Sequence, residues 1–270
     1  YYTTLISEVG CGDLDYLQMQ DRISAESGGI GAAFSAKGRI DDVQALSGYI
    51  IFNGKALARN RSELTRLLRD VYTSARFDEK ERIREIIAQI RARREQAVTG
   101  SGHALAMGAA SQGMSPGAWL SFRLGGLAGI RGTKQLDQAL KDPEELTALC
   151  DKLSALHEKI GKQGREFLVI GEEDQLPAMV DDLKSCWRDA SGAGIAGWKM
   201  EPVNYTTREA WLTSTQVNFC SKAYSTVAVD HPDAAALTVL GGFLRNGYLH
   251  RAIREKGGAY GGGAGQDSVN

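Results

Sequence analysis

The amino-acid sequence predicts an α+β fold in which helices form a layer against a β-sheet. Two short apolar segments, at residues 28–36 and 45–52, are bounded by glycine or polar residues, which is typical of strands. Apolar residues at helical spacing then dominate the chain from residue 64 to residue 90. Because strands and helices come in runs without strict β–α–β alternation, the pattern favours α+β over a parallel α/β sheet.

The helices are predicted from apolar spacing and from capping residues. Apolar side chains recur at i, i+3, i+4 and i+7 over residues 64–71 and again over residues 83–90. The sequence DPEE at residues 142–145 predicts a helix start, because Asp caps free N–H groups, proline suits the first turn and acids suit the positive end of the dipole. Further helices are predicted from Asp174, as a cap, to about residue 187, and after a start at residues 230–233.

Two more strands and one linker complete the predicted order. Residues 165–170 and 217–229 have strand character. The small, flexible sequence ASGAGIAG begins a linker that we place at residues 190–204. It would separate most of one α+β domain, residues 1–189, from the first part of a second, residues 205–270.

Composition excludes several classes of protein. The 270 residues include 32 Lys and Arg against 33 Asp and Glu, and 43% are apolar, which is enough for a sizeable core. A nucleic-acid-binding surface needs a cationic excess, so near neutrality argues against nucleic acid as a partner. No run approaches the roughly 18 apolar residues of a membrane span. We therefore expect neither a nucleic-acid nor a membrane partner.

The four cysteines predict a reducing compartment. Cys11, Cys150, Cys186 and Cys220 lie far apart, without the short spacing of a zinc site or a disulfide framework.

Common catalytic and nucleotide motifs are missing. Lys256 precedes the glycine run, whereas a phosphate-binding loop needs Lys after it, and no G-x-S-x-G serine-hydrolase motif occurs. The His157–Glu158 pair begins like the zinc motif H-E-x-x-H, but the fifth position is Gly161, so a surface pair on a helix is expected. His231 is expected at a turn or helix cap, and His250 on a partly exposed helix face.

An internal repeat is more informative than these motifs. The pattern R-x-x-x-E-x-G-G occurs at residues 22–29 and, 229 positions later, at residues 251–258. In both copies a helix would end at paired glycines, which permit a left-handed exit into a strand. The repeat indicates duplication of a unit about one domain long.

The second copy differs from the first at two positions that carry chemistry. Arg254 replaces Ala25, and Tyr260 replaces Gly31. A guanidinium and a phenol that flank the glycine corner can hold a carbonyl or stabilise an oxyanion. The alternative is an exposed helix arginine and a core tyrosine, and composition alone favours that alternative.

The segment at residues 249–264, LHRAIREKGGAYGGGA, resembles the Arg/Tyr segment in the C-terminal half of pitrilysin/insulinase-family (inverzincin) zinc metallopeptidases. The nearest branch is the presequence-protease-like one, and ISAESGGIGAAFSA with the helical middle of the chain resembles its third domain. In that family, four homologous two-layer α+β domains with mostly antiparallel sheets form two halves that close around an unfolded peptide.

The resemblance implies a division of labour between the halves. A His-x-x-Glu-His helix in the first domain holds the catalytic zinc, whose activated water attacks the peptide carbonyl. The opposite half supplies an Arg and a Tyr for substrate binding and catalysis, which would be Arg254 and Tyr260. Gly257 and Gly258 would form the adjoining substrate-binding corner.

His-x-x-Glu-His is absent from these residues, and the sequence does not begin with Met. We therefore expect a piece of a longer zinc endopeptidase, comprising most of the third domain and the start of the fourth, that binds no catalytic zinc and hydrolyses nothing alone. Its expected partners are an unstructured peptide and the zinc-bearing N-terminal half, in the cytoplasm or an organelle matrix such as that of mitochondria. A non-catalytic structural or processing subunit is the main alternative, and a peptide-binding scaffold is a weaker one.

Overall fold

The structure, a computed structural model, describes residues 1–188 and 199–267. Helices predominate in these ranges, with one pair of strands, a 3₁₀ turn at Ala58–Asn60 and a π-helical segment at Arg245–Lys256. In chain order the other elements are α1 (Tyr2–Leu5), α2 (Tyr16–Glu26), β1 (Ile30–Gly38), β2 (Leu46–Gly54), α3 (Arg61–Ser74), α4 (Lys80–Gly100), α5 (Gly102–Ser111), α6 (Pro116–Leu124), α7 (Leu127–Ala139), α8 (Pro143–Gly161), α9 (Leu176–Cys186) and α10 (Ala234–Leu244).

Strands β1 and β2 form an antiparallel hairpin, which confirms both predicted N-terminal strands with shifts of one or two residues. The N–H of Gly28 donates to the carbonyl of Lys55 over 2.7 Å, and the N–H of Arg39 donates to Ala45 over 2.9 Å. Helices with a small antiparallel sheet are compatible with the α+β class. The larger sheet of a two-layer repeat domain stays a prediction.

Contacts between residues divide the chain into two compact units, each assembled from three segments. The first comprises Tyr1–Ser35, Tyr49–Gln96 and Arg131–Gly197, and the second comprises Ala36–Gly48, Ala97–Ile130 and Trp198–Asn270. Of the predicted linker, residues 190–198 lie outside the described residues, and the predicted domain boundaries stay predictions.

The core of the first unit confirms the predicted helical stripes. In α3, Leu67 and Val71 are buried, and in α4 Ile83, Ile86 and Ile87 are buried, as their spacing requires. Complete burial of each such side chain contributes about 1.5–3 kcal/mol to stability. Other core side chains come from α1, α2, α8 and the loops: Tyr2, Leu5, Ile6, Val9, Met19, Ile23, Phe77, Leu140, Leu146 and Leu153.

Helix α8 begins as predicted, because a carboxylate oxygen of Asp142 accepts a hydrogen bond from the N–H of Glu144 over 2.8 Å. Helix α9 is also present, but its predicted cap is wrong. The helix begins one residue after Gln175, and the side chain of Asp174 accepts from the Gln175 amide instead. Helix α10 follows the predicted start at residues 230–233.

Two predicted strands are wrong. Residues 165–170 and 217–229 form no strand, and Leu168 and Ile170 are 85% and 81% exposed. A strand needs a neighbour to satisfy its backbone donors and acceptors, and neither segment pairs with a strand in the part of the chain that the structure describes.

In the second unit, the extended segment after residue 199 is fixed to the loop between α5 and α6. The N–H of Tyr205 donates to the carbonyl of Gly113 over 2.8 Å, and the N–H of Val203 donates to Gln44 Oε1 over 2.8 Å. Gln44 Nε2 in turn donates to the carbonyl of Met114 over 2.9 Å. Within the described ranges, no helix is both long and apolar enough to cross a membrane.

Candidate functional site

The predicted site lies where the π-helical segment of the second unit ends at two glycines. Gly258 has φ +71°, a left-handed conformation that favours glycine. A β-carbon on Gly257 would lie 2.7 Å from the carbonyl oxygen of Ile253, which leaves no room for a larger residue. The N–H of Gly258 donates to Arg254, and that of Ala259 donates to Ile253, both over 3.1 Å. The corner therefore satisfies carbonyls that the helix end would otherwise leave free.

The two side chains that flank this corner are exposed. Tyr260 is 99% exposed, and Arg254 lies on the last turn of the helical segment with its side chain at the surface. The structure gives neither side chain a hydrogen bond or ion pair with another described residue. Arg254 and Lys256 also suit the negative end of a helix dipole. The corner thus presents a guanidinium and a phenol to solvent, and both groups are hydrogen-bond donors.

The first copy of the repeat shares the left-handed glycine but not the whole corner, because its helix ends one residue earlier and its cap residue Ser27 is already extended. Helix α2 ends at Glu26, and Gly29 has φ +107°, so the second glycine is left-handed in both copies. The Gly29 N–H donates to Ser27 Oγ over 3.1 Å, and that hydroxyl donates to Ile23.

The two copies differ in the conformation of the chain after the glycines. Strand β1 begins directly after Gly29, at Ile30. After Gly258 no strand forms over residues 259–267, so the strand predicted there is wrong for the described residues.

The histidines give mixed outcomes. His231 Nδ1 accepts from the N–H of Asp233 over 3.1 Å, which confirms the predicted turn. His250 is exposed on the π-helical segment as predicted, 3.4 Å from Glu255 Oε1. The predicted surface position of His157 is wrong, because this side chain is only 9% exposed and its Nδ1 lies 2.8 Å from the Tyr2 hydroxyl.

The spacing of buried residues along α8 could have predicted the burial of His157 from the sequence. The buried side chains of α8 are Leu146, Cys150, Leu153 and His157, at spacings of four, three and four residues. A stripe drawn through the leucines alone includes Leu156, which is 40% exposed, and omits His157.

Metal ligands do not come together in the described parts of the chain. No group of three or more His, Cys, Asp or Glu side chains is placed there to hold a metal ion. The described residues therefore do not fit a zinc centre. The four cysteines are free, and burial raises the pKa of the Cys11 thiol to about 11.

Sequence comparisons define the class of protein. The family described as peptidase M-16C associated matches residues 1–136, just over half of the 270. Three similar proteins are each named "Presequence protease, mitochondrial". The protein from Danio rerio is 25% identical, that from Yarrowia lipolytica 27%, and that from Gibberella zeae 28%. Each alignment covers 97% of this chain.

These matches place the chain among peptidase-associated proteins. The chain belongs to the peptidase M-16C associated family. These matches confirm the resemblance stated for residues 249–264, in that the chain is similar to a segment of presequence proteases. The chain spans 27–28% of the length of these three relatives.

Proposed function

We propose that this chain is part of a zinc-dependent endopeptidase that degrades short unstructured peptides, and that it supplies substrate-binding groups outside the zinc centre. The observation that carries the proposal is similarity to presequence proteases over 97% of the chain. The family match at residues 1–136 supports the same class independently of the glycine corner.

Arg254 and Tyr260 are the proposed contacts to the peptide. Both are exposed at a corner whose backbone is fixed by Gly257 and Gly258, so neither must leave another partner to meet a ligand. The phenol donates one hydrogen bond, and the guanidinium adds a fixed positive charge with several donors. Directed at the carbonyl oxygen of a scissile peptide, these donors would stabilise the negative charge that develops there.

The zinc that this activity requires would be held by residues outside this chain, since the described residues offer no metal cluster. The proposed partners are accordingly a zinc-bearing N-terminal half and an extended peptide whose backbone is gripped without strong sequence preference. The proposed compartment is a reducing one such as the mitochondrial matrix, in keeping with four free cysteines and with the names of the relatives.

Cleavage of a quenched fluorescent peptide by the intact polypeptide tests the proposal. We expect Tyr260→Phe and Arg254→Ala each to lower kcat and kcat/KM together, by roughly a hundredfold, because a donor used in the transition state is lost. Tyr248→Phe and Arg251→Ala are matched controls, since both residues are exposed on the same π-helical segment. Equal rates for all four variants would favour the non-catalytic subunit instead.

A further inference from the structure

A pocket of about 340 Å³ lies in the first unit, and none of its lining residues belongs to the glycine corner. Helix α3 contributes Arg69 and Tyr72, helix α8 contributes His157, and the segment around α9 contributes Arg165 and Trp187. The proposed peptidase function uses none of these residues.

His157 presents a hydrogen-bond donor to this pocket. Its Nδ1 lies 2.8 Å from the Tyr2 hydroxyl, while its Nε2 is buried without a hydrogen-bond partner among the described residues. Burial lowers the pKa of His157, so the ring is neutral and one nitrogen carries the proton. The Tyr2 hydroxyl makes no other hydrogen bond with a described residue, and burial raises its pKa, so we assign it as donor to Nδ1. The imidazole proton then resides on Nε2.

Trp187 presents a second donor. Its indole Nε1, which can only donate, is buried and has no acceptor among the residues that the structure describes. The indole ring is held edge-on to Tyr72 with 5.5 Å between centroids, and the Tyr72 hydroxyl donates to the Ile160 carbonyl over 2.9 Å. Two buried N–H groups without acceptors at one pocket are unusual in a folded protein and call for a ligand.

Two guanidinium groups line the pocket. The guanidinium of Arg165 lies 4.9 Å from the centroid of Tyr72 and 5.7 Å from that of Trp187, which is cation–π geometry. Arg69 adds a second guanidinium, and the carboxylate among the described lining residues, that of Glu158, is exposed at the surface. Two cations, two N–H donors and aromatic walls are suited to an acidic group attached to a small apolar body.

We propose that this pocket binds a small organic anion, a carboxylate or phosphate ester, whose acidic oxygens accept hydrogen bonds from His157 Nε2 and Trp187 Nε1 beside Arg165. The peptidase activity does not require this ligand, so either proposal can fail without the other.

Isothermal titration calorimetry of the native polypeptide tests the pocket, with benzoate and inorganic phosphate as probes and benzamide as the neutral control. We expect one of the two anions, or both, to bind at the pocket and benzamide not to bind. Phosphate binding alone would identify a phosphate ligand, and benzoate binding alone a carboxylate, and either result supports the proposal.

Matched variants locate the binding. Trp187→Phe keeps an aromatic ring but loses the N–H and should weaken binding roughly fivefold, and Arg165→Gln should weaken it roughly tenfold or more. Arg123→Gln is the control, because Arg123 lies 5.3 Å from the Trp119 ring centroid in the other unit and should bind like wild type. Arg165→Lys keeps the positive charge and should bind the anion more tightly than Arg165→Gln does. This comparison distinguishes loss of the charge from loss of folding.

Three results would overturn the proposal. They are absence of binding by both anions at millimolar concentration, equal affinity for benzamide, and affinity unchanged in both pocket variants.

Discussion

Two regions of this chain carry the same eight-residue pattern and a second glycine at positive φ, yet the side chains around them pack differently. In the first copy, Arg22 lies 3.1 Å from Glu26 and 2.8 Å from Asp70, and these ion pairs are partly buried. The glycines there lead directly into β1, and Gly28 donates to Lys55 at the end of the hairpin. The side chains and backbone of this copy are therefore paired with other residues of the first unit.

In the second copy the corresponding groups face solvent. Arg251 has no ion pair with a described residue, and the residues after the glycines include the fully exposed Tyr260. The two copies therefore share a second glycine at positive φ but differ in how the neighbouring side chains are paired.

The largest expected contrast is in cysteine reactivity. Cys11 is buried near Arg22 and Asp70 with a pKa of about 11, whereas Cys220 of the second unit is exposed. Because the thiolate is the nucleophile, alkylation at about pH 8 should label Cys220 at least roughly a hundredfold faster than Cys11. Mass spectrometry of a labelling time course measures both rates, and Cys220→Ser should remove the fast phase. Comparable native rates would contradict the packing of the first unit.

Substitution of the two glycines at positive φ should have different effects, mainly on stability for Gly29 and mainly on peptide cleavage for Gly258. Gly29→Ala places a side chain at positive φ and should lower the free energy of unfolding of the first unit by about 1–2 kcal/mol, measured by urea denaturation. Gly258→Ala also places a side chain at positive φ, but no described strand follows it, so peptide cleavage should fall more than stability. Gly132→Ala, in the helix α7 with open space around the added methyl, is the control and should not destabilise. A stable Gly258→Ala variant with unchanged turnover would separate the corner from catalysis.

Removing the first arginine of each copy sharpens the comparison. Arg22→Ala breaks two partly buried ion pairs and should cost about 1 kcal/mol of stability. Arg251→Ala should change stability by less than about 0.5 kcal/mol, because it breaks no ion pair with a described residue. Parallel thermal unfolding of both variants measures the difference. A larger loss for Arg251→Ala would mean that the second copy is also packed within the fold.

The smallest expected effect is a pH dependence confined to the first unit. Burial lowers the pKa of His157 below its ordinary value near 6.5, so the unfolded chain binds a proton more readily than the folded one. The free energy of unfolding should therefore be unaffected by this group above about pH 6.5 and should fall with acidification from there to the folded pKa. His157→Asn should flatten that part of the profile, and His231→Asn, at an exposed turn, is the control.

The sequence predicted those features that depend on local chemistry. Helical spacing located α3 and α4, the Asp142 cap located α8, and paired glycines located the end of the π-helical segment and, to within one residue, that of α2. Predictions failed where tertiary partners decide the outcome. An apolar run such as residues 165–170 becomes a strand only beside another strand, and a polar residue such as His157 joins a core only when a partner such as Tyr2 is supplied from elsewhere.

The two candidate sites also differ in how far the sequence predicts them. Arg254 and Tyr260 could be selected because motif and repeat mark them in the linear sequence. The pocket at His157 could not, because its residues come from positions 69 to 187 and meet only in the folded first unit. No short motif joins them.

The intrinsic fluorescence of Trp187 reports on the packing of the first unit. Its ring centroid lies 5.5 Å from that of Tyr72 and 5.3 Å from that of Phe167, so three separate stretches of chain meet at one indole. Indole emission shifts to longer wavelength when water reaches the ring. The difference in emission between wild type and Trp187→Phe therefore reports whether α9 stays docked on α3. A local detachment of this region would then register before the core of the first unit unfolds.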